Sequence, residues 1–429
     1  MIVGYDTRFA SEDFAAEVAA VTTAGGVPTT LLSGAAPTPV VSYSIVNRKA
    51  GGGVVITASH NPPQWNGFKY KPDYGGSASP EIVEALETEI DEAQRHEIPV
   101  LSLPEARERG LLDEIDPAPP YLAHLARLVD IETIRSSGLN VATDAMYGAG
   151  AGYLPQLLEG GTTAVTELHG ERNPIFPGMS QPEPVAHNLT DLSQWVVSNG
   201  CDVGLAIDGD ADRLGLVDEK GRYISTLQTF ALLALYLLEI RGERGALVKS
   251  ITTTNMIYRL GEMYGVPVHE TPVGFKYLGP VMRRENALTA GEESGGYAFR
   301  GHIPERDGIL SALYLLDMIV KTGKRPSELL DYLFSKVGPH HFEREDVPFN
   351  PELRSWAEQH LASQQPDTLA GRKVVRRDET DGTRFILDRD AWLLIRFSGT
   401  EPVLRIYAEA DSPEQVSLLL EEARGLAGV

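Results

Sequence analysis

Cysteine is nearly missing from this 429-residue chain: Cys201 is the only one. No intrachain disulfide can form, and a reducing compartment, the cytoplasm, is the expected location. Basic residues are scarce, 38 Lys and Arg against 60 Asp and Glu, for a net charge of −22. That balance argues against nucleic acid and anionic membrane as partners. If the substrate is itself anionic, the few cations must be gathered at one place. Apolar runs such as Thr229 to Ile240 are too short to span a bilayer. The opening Met1-Ile2-Val3-Gly4-Tyr5-Asp6 lacks the basic-then-apolar order of a signal peptide. No short-period repeat is visible, and the 42 Gly and 28 Pro are scattered, marking many turns. Hydrophobic residues at 42% and charged residues at 23% are those of a soluble globular protein. A chain this long exceeds one core, so two to four domains are expected.

What is present is a repeated alternation of strands and helices. Ile2 to Tyr5 reads as a buried strand. A helix follows, capped by Ser11, with Glu12 and Asp13 in its first turn and Phe14, Val18 and Val21 at helical spacing. Thr29 to Leu32 is a strand, Pro39 to Lys49 a helix and Val54 onward a strand. This order implies a parallel sheet with right-handed crossovers. Pro80 to His96 reads as an acidic helix, and Arg107 to Pro120 as a linker. The pattern restarts with a helix over 121–137, a strand over 139–143 and a helix over 154–160. A Pro-rich loop over 172–184, a helix over 188–198 and strands at 203–207 and 214–217 complete that unit. A third unit runs from Thr226, with helices over 226–241, 254–264 and 307–322 and strands over 246–249 and 286–290. The end differs: strands over 372–377, 384–387, 391–397 and 403–409 precede a helix over 413–426. The expected fold is three successive α/β domains with mixed, mainly parallel sheets, plus a smaller C-terminal α+β domain. Their boundaries are 1–117, 118–222, 223–343 and 344–429.

Four polar loops stand out. Val54-Val55-Ile56-Thr57-Ala58-Ser59-His60-Asn61-Pro62 brings one hydroxyl, Ser59, to the carboxyl end of a strand, where α/β sheets place their chemistry. Asn66-Gly67-Phe68-Lys69 can return a cation to the same point. Alone, this stretch is an ordinary strand end with an Asx-Pro turn. Asp208-Gly209-Asp210-Ala211-Asp212-Arg213 can converge three carboxylates on a hard cation such as Mg²⁺, with Arg213 suited to a phosphate oxygen sharing it. An EF-hand is the rival, with Glu219 at its twelfth position. It fails on Arg213, where the tight turn needs Gly, and on flanks that read as strands. Gly291-Glu292-Glu293-Ser294-Gly295-Gly296 repels phosphate but suits sugar hydroxyls, which donate to carboxylates. Just beyond it, His302 and Arg306 are candidates for proton transfer or phosphate positioning. Arg396-Phe397-Ser398-Gly399-Thr400-Glu401-Pro402, with Arg405 after it, offers cations, hydroxyls and Gly-exposed amides for a non-reacting phosphate.

In this order the four loops resemble those of the α-D-phosphohexomutase family, the phosphoglucomutases and phosphomannomutases, over essentially the whole chain. The resemblance implies four domains, each giving one loop to a central cleft. It implies Ser59 as the phosphorylated serine, and Ser59, Asp208, Asp210 and Asp212 around one Mg²⁺ per chain. Catalytic roles then fall to Ser59, His60, Lys69, Arg213, His302 and Arg306. Lys249, Glu292, Ser294, Arg396, Ser398, Gly399, Thr400 and Arg405 would contact the phosphosugar. Gly274 and Phe275 lie in Thr271-Pro272-Val273-Gly274-Phe275-Lys276, which resembles the family's sugar-discriminating loop. Gly296 stands where the glucosamine branch tends to carry a His, so the loop looks more like that of the glucose mutases. The implied reaction interconverts hexose 1- and 6-phosphates of glucose, mannose or both, through phosphoserine and a hexose bisphosphate that also serves as activator. The implied partner is a small phosphosugar, handled by a monomer or weak homo-oligomer.

The family carries a further strand and helix ahead of the stretch matching Gly4 to Arg8, with an arginine-bearing loop. Relative to it this chain is N-terminally short. One edge of the first sheet is therefore expected to be exposed. The second functional reading is a catalytically impaired or non-catalytic phosphosugar-binding protein. A Mg²⁺-dependent phosphatase of the Asp-x-Asp type is a third, and it would not need Ser59.

Overall fold

The computed structural model describes residues 1–398 and 402–428. Among the described residues, four sheets follow one another along the chain. The first contains β1 (Ile2–Tyr5), β2 (Thr29–Leu32), β3 (Gly52–Ile56), β4 (Phe68–Pro72) and β5 (Leu112–Ile115), in the order β4-β3-β1-β2-β5. The second contains β6 (Asn140–Asp144), β7 (Ala164–Leu168), β8 (Val203–Ile207), β9 (Leu214–Asp218) and β10 (Tyr223–Ile224), in the order β10-β9-β8-β6-β7. The third contains β11 (Leu247–Ser250), β12 (Val268–Thr271), β13 (Thr289–Gly291) and β14 (Tyr297–Phe299), in the order β12-β11-β13-β14. Each is parallel apart from one antiparallel edge: β4 on β3, β9 and β10 beyond β8, and β14 on β13.

One feature of this order positions the chemistry. In each of the three sheets the first parallel strand lies between the next two: β1 between β2 and β3, β6 between β7 and β8, β11 between β12 and β13. The crossovers leave in opposite directions, and a crevice opens outside the carboxyl ends of the central pair. Ser59 follows β3, Asp208 follows β8 and Glu292 follows β13, so three loops occupy the same place in three successive units.

The fourth sheet is antiparallel throughout: β15 (His341–Pro348), β20 (Val403–Ala410), β19 (Trp392–Phe397), β18 (Thr383–Leu387), β17 (Arg372–Asp378) and β16 (Thr368–Leu369). One face packs on the helix Pro413–Ala427 through Leu393, Ile406, Leu419 and Leu420, a core of its own. The other face meets the third unit through a small apolar cluster of Ile251, Trp392, Leu394 and Tyr407. The first three units instead share one large core, which runs from Ile2 and Val40 through Tyr121 and Leu205 to Leu232 and Leu313.

Several expectations change. The stretch 107–120 is not a linker: it holds β5, paired in parallel with β2 from Thr29↔Leu112 to Leu32↔Ile115. Its central Asp113 and Glu114 are exposed, as suits a charged edge strand, and that charge hid it. Ser11 is not the helix cap. Ala10 takes the left-handed cap position, and the Ser11 hydroxyl donates instead to the buried Asp6 (2.9 Å). The helix from Thr226 ends at Leu235 and continues as one π turn over Tyr236–Ile240. Tyr223–Ile224 closes the second sheet, and His341 opens the fourth. The two edges of the first sheet among the described residues are β4 and β5. An apolar groove of about 560 Å³ lies beside β4, lined by Phe14, Val18, Val54, Ile56 and Phe68.

A buried ion pair ties the first unit to the third. Lys71 at the end of β4 meets Glu305, and both side chains are excluded from solvent. Burial pushes the Glu305 carboxyl up, but Lys71, Arg306 and Ser77 outweigh it and hold it at about 2, below its ordinary 4.5. A folded value below the unfolded one means this stabilisation is complete above the ordinary value and is lost as pH falls toward 2. Lys71→Met leaves the buried Glu305 charge with only Arg306 and Ser77 to balance it and is expected to destabilise the protein by about 2–4 kcal/mol. Adding Glu305→Leu is expected to recover most of that loss. Denaturant unfolding of the three proteins at neutral pH checks both outcomes.

Candidate active site

Ser59 sits in a left-handed backbone conformation (φ 53°) at the tip of the loop after β3. Its amide donates to the Thr57 hydroxyl (2.8 Å), which donates in turn to Asp6 (2.6 Å). Its own hydroxyl, nearly buried, donates to Asp208 Oδ2 at 3.1 Å. His60 follows, half-buried, with Nδ1 3.5 Å from the Ser59 oxygen. Burial, with Arg213 adding repulsion, keeps the His60 imidazole well below its ordinary value, so it is uncharged at neutral pH.

Asp208, Asp210 and Asp212 are each fully buried, with one carboxylate oxygen apiece lying within 4.8 Å of the others. Burial drives Asp208 well above the usual carboxylate range, and repulsion from Asp210 and Asp212 adds to it. The same burial acts on Asp210, but Lys69, the Thr38 hydroxyl and Arg306 outweigh it and hold that carboxyl low. Asp210 Oδ1 and Asp212 Oδ1 have no hydrogen-bond partner among the described residues. Orphaned carboxylate oxygens in a dry pocket are what a hard divalent cation takes as ligands, so the donor set fits one Mg²⁺ ion. An EF-hand does not fit. The strand β9 carries Glu219 away from the triad, and its carboxylate accepts from Ser327 instead.

Cations close around the triad. Lys69 Nζ lies 3.1 Å from Asp210 Oδ2. Arg306 reaches Asp212 (2.6 Å), Glu292 (3.4 Å) and Glu305 (3.3 Å), with its guanidinium 5.6 Å above the Phe275 ring. Arg213 lies 3.8 Å from Asp208 and 3.9 Å from Asp212, but its terminal nitrogen is taken by Glu183 at 2.8 Å. Phe275 opens the helix Phe275–Glu285 and is itself buried, so it supports Arg306 from below. Gly274 precedes it with φ 121°, a conformation open to glycine. Glu292 is buried in the crevice and Ser294 is half-buried in the same turn; burial raises the Glu292 carboxyl, against the pull of Arg306. At Gly296 a Cβ would stand 2.2 Å from Arg306 Cδ, so the arginine fills the space that a side chain there would need.

The fourth unit brings Arg396 and Arg405 together, directly paired across β19 and β20 on the face turned toward the third unit. Arg396 donates to Asp381 (2.8 Å), whose other oxygen accepts from the Val273 amide (3.1 Å). Arg405 is half-buried beside Asp346, and Ser398 is buried at the end of β19. Gly399 and Thr400 lie outside the described residues.

Two expected site residues are placed elsewhere. Both ring nitrogens of His302 are taken, by Asp307 (2.8 Å) and His124 (3.0 Å), and its side chain has no solvent exposure. It is a structural histidine in a buried polar chain. Lys249 is also fully buried: its ammonium pairs with Glu270 (2.8 Å), which also binds Arg384, in the seam between the third and fourth units. It is neutralised there and not presented to a substrate.

Residues that the sequence did not single out complete the site. Thr38 opens the helix Thr38–Asn47, and both its amide (2.9 Å) and its hydroxyl (2.8 Å) donate to Asp210. Glu183 comes from the Pro-rich loop. The helix-start pattern Pro37-Thr38-Pro39 was a usable signal for Thr38. Glu183 carried none, since only the fold brings it to Arg213.

Asp210→Asn and Asp212→Asn are each expected to weaken Mg²⁺ binding by ~10-fold or more, because each removes ligand charge. Glu219→Gln is expected to leave it unchanged. Calorimetric titration of the folded variants with Mg²⁺ alone reads both.

Comparison with known proteins agrees with this arrangement. Four family models of phosphoglucomutase/phosphomannomutase match in order: α/β/α domain I over residues 1–97, domain II over 119–221, domain III over 227–337 and the C-terminal domain over 357–426. A phosphoglucomutase/phosphomannomutase from Thermococcus kodakarensis is 34% identical, over 98% of this chain and 88% of its own length. A relative from Methanopyrus kandleri, provisionally named a phosphoglucosamine mutase, is 31% identical over 98% of this chain and 88% of its own. A crystal structure from Thermus Thermophilus, provisionally named a phosphomannomutase, superposes with a TM-score of 0.86 at 34% identity, covering 100% of this chain and 90% of that one. The chain belongs to the phosphoglucomutase/phosphomannomutase family, and is a phosphohexomutase.

Proposed function

We propose that Ser59 carries the phosphoryl group of this phosphohexomutase and that glucose and mannose phosphates are its substrates. The observation that carries this reading is the Ser59 hydroxyl, 3.1 Å from Asp208 at the edge of a buried, cation-ringed carboxylate triad. In the first half-reaction the P–Oγ bond of phosphoserine breaks and a bond from phosphorus to a sugar hydroxyl forms, giving a hexose bisphosphate. The bisphosphate turns over in the cleft, and the other phosphate returns to Ser59. A serine ester is a recoverable carrier, so no nucleotide is consumed. His60, uncharged, relays one proton: it takes it from the attacking sugar hydroxyl and delivers it to the Ser59 oxygen as phosphate leaves, and it carries it back to the departing sugar oxygen as phosphate returns. Asp208, Asp210 and Asp212, with the Ser59 oxygen, would hold one Mg²⁺, which supplies charge neutralisation at the moving phosphoryl group. Lys69, Arg306 and Arg213 add fixed positive charge on the same side.

The non-reacting phosphate falls to Arg396, Ser398 and Arg405, together with Gly399 and Thr400. Glu292 and Ser294 take sugar hydroxyls. The sugar binds in two orientations, so only contacts near its centre serve both. Free hexose bisphosphate would act as activator by phosphorylating Ser59. The relatives' names favour this enzyme over a non-catalytic phosphosugar-binding protein. The placement of Arg306 against Gly296 supports glucose or mannose over glucosamine. No helix among the described residues is long and apolar enough to cross a membrane. The one cysteine is buried and fits a reducing compartment such as the cytoplasm.

The test is conversion of glucose 1-phosphate to the 6-phosphate with Mg²⁺ and a trace of bisphosphate, with the mannose and glucosamine 1-phosphates run alongside. Turnover of the glucose or mannose ester is expected, together with loss of at least ~10³-fold in kcat for Ser59→Ala, as for removal of a covalent nucleophile. Release of inorganic phosphate from the esters by Ser59→Ala would favour an Asp-x-Asp phosphatase and end the reading. Turnover of glucosamine 1-phosphate alone would reverse the substrate assignment.

A further inference from the structure

The loop that bears Ser59 belongs to no strand or helix, yet it holds its central residue in a strained conformation. A non-glycine residue at φ 53° persists only where its surroundings over-determine it. The source of that constraint lies beneath the loop, in the side chain of Arg8. Its guanidinium donates to four backbone carbonyls of one loop: Ser59 (2.6 Å) and Asn61 (2.5 Å) from one terminal nitrogen, Pro62 and Trp65 (3.0 Å each) from the other. Arg8 is 1% exposed. Asp6 lies 3.3 Å from its Nε, and the Phe176 ring lies 5.1 Å from its guanidinium carbon. From the second unit, Arg172 donates to the Thr7 (3.0 Å) and Arg8 (3.2 Å) carbonyls and pins the backbone that carries it.

We propose that Arg8 is the positioning residue for the nucleophile. It is the template on which residues 59–65 are wound, and it fixes the Ser59 oxygen toward Asp208 through the whole catalytic cycle. Four acceptors around one planar fork suit arginine and no other side chain. A lysine has one nitrogen with three donors and cannot span carbonyls from Ser59 to Trp65. Arg8 touches neither substrate nor the reacting oxygen, so its effect is confined to where the nucleophile stands. Asp6 serves both halves of the device: one oxygen accepts from Thr57, which holds the Ser59 amide, and the same carboxylate balances the buried guanidinium. The cationic group under the loop also sets a positive charge near Asp208 and Asp210.

The inference rests on Ser59 as the phosphorylated residue, and its test separates the two. In Arg8→Lys, phosphorylation of Ser59 by hexose bisphosphate and kcat are expected to fall about a hundredfold, as for misplacement of a reacting group by about 1 Å. KM for the hexose phosphate should stay within about threefold, because the sugar and distal-phosphate loops are untouched. Wild-type kcat in Arg8→Lys, or a raised KM with kcat unchanged, would overturn the inference. Ser59→Ala run in parallel reports on the nucleophile itself: if it is inactive while Arg8→Lys is fully active, only the role of Arg8 is refuted. A measurement on the unmodified protein decides the matter if Arg8→Lys does not fold. Amide hydrogen exchange at Ser59, Asn61 and Trp65, whose N–H groups are hydrogen-bonded within the loop, should be well slower than in an exposed loop. Exchange at the rate of an exposed loop would refute the template.

Discussion

Three carboxylates with no solvent exposure stand within 4.8 Å of one another, and most of the molecule's polar architecture answers to that fact. Unpaired buried charges of one sign are costly enough that neighbours must supply the opposite charge or the groups protonate. Here the supply comes from every α/β unit. The first gives Lys69 and the dipole of the helix at Thr38, the second gives Arg213, the third gives Arg306. In a chain of net charge −22 such a concentration of cations is far from random. It also settles how an acidic protein can receive an anionic substrate: the field that matters is local, and the rest of the surface is screened within about 8–10 Å.

The placement of the loops is a consequence of topology repeated three times. Each unit runs its first strand between the next two, so each opens a crevice at the same corner and sets its working loop after the third parallel strand. That gives the Ser59 loop, the acidic triad and the Glu292 turn from three copies of a single plan. The copies are then locked by a shared apolar core and by buried ties such as Lys71 to Glu305. Distances of about 3 Å from Ser59 to Asp208 and from Lys69 to Asp210 depend on elements far apart in sequence, and only a rigid body can hold them.

Much of this was legible in the sequence, and the limits have physical causes. The strand–loop units at Ser59 and Asp208 were readable because a short apolar run ending in clustered polar residues is the pattern of a buried strand running into its loop. The edge strand Leu112–Ile115 was hidden by the charges that protect an edge, and the Ser11 cap lost to a buried Asp6 that needed a donor more than the helix did. His302 and Lys249 show the sharper limit. Chemically able side chains in the right stretch were expected at the site, yet burial and a neighbouring carboxylate turned each into a structural group. Sequence shows which groups are available. It does not show which are already neutralised, and the same blindness hid Thr38 and Glu183, whose roles exist only through partners well over a hundred residues, or about thirty residues, away.

The fourth unit departs from the first three in how it is held. It has its own core, and it meets the third unit across a seam that joins a small apolar cluster to ion pairs. Asp381 bridges Arg396 and the Val273 amide, Arg344 reaches Glu293, and Arg384 and Lys249 share Glu270. Arg384 and Lys249 are buried in that seam, and buried pairs hold a strict geometry because parting them leaves uncompensated charge. A three-unit body with a shared core, joined to one separately cored unit through a mixed seam, sets Arg396 and Arg405 on the face turned toward the third unit.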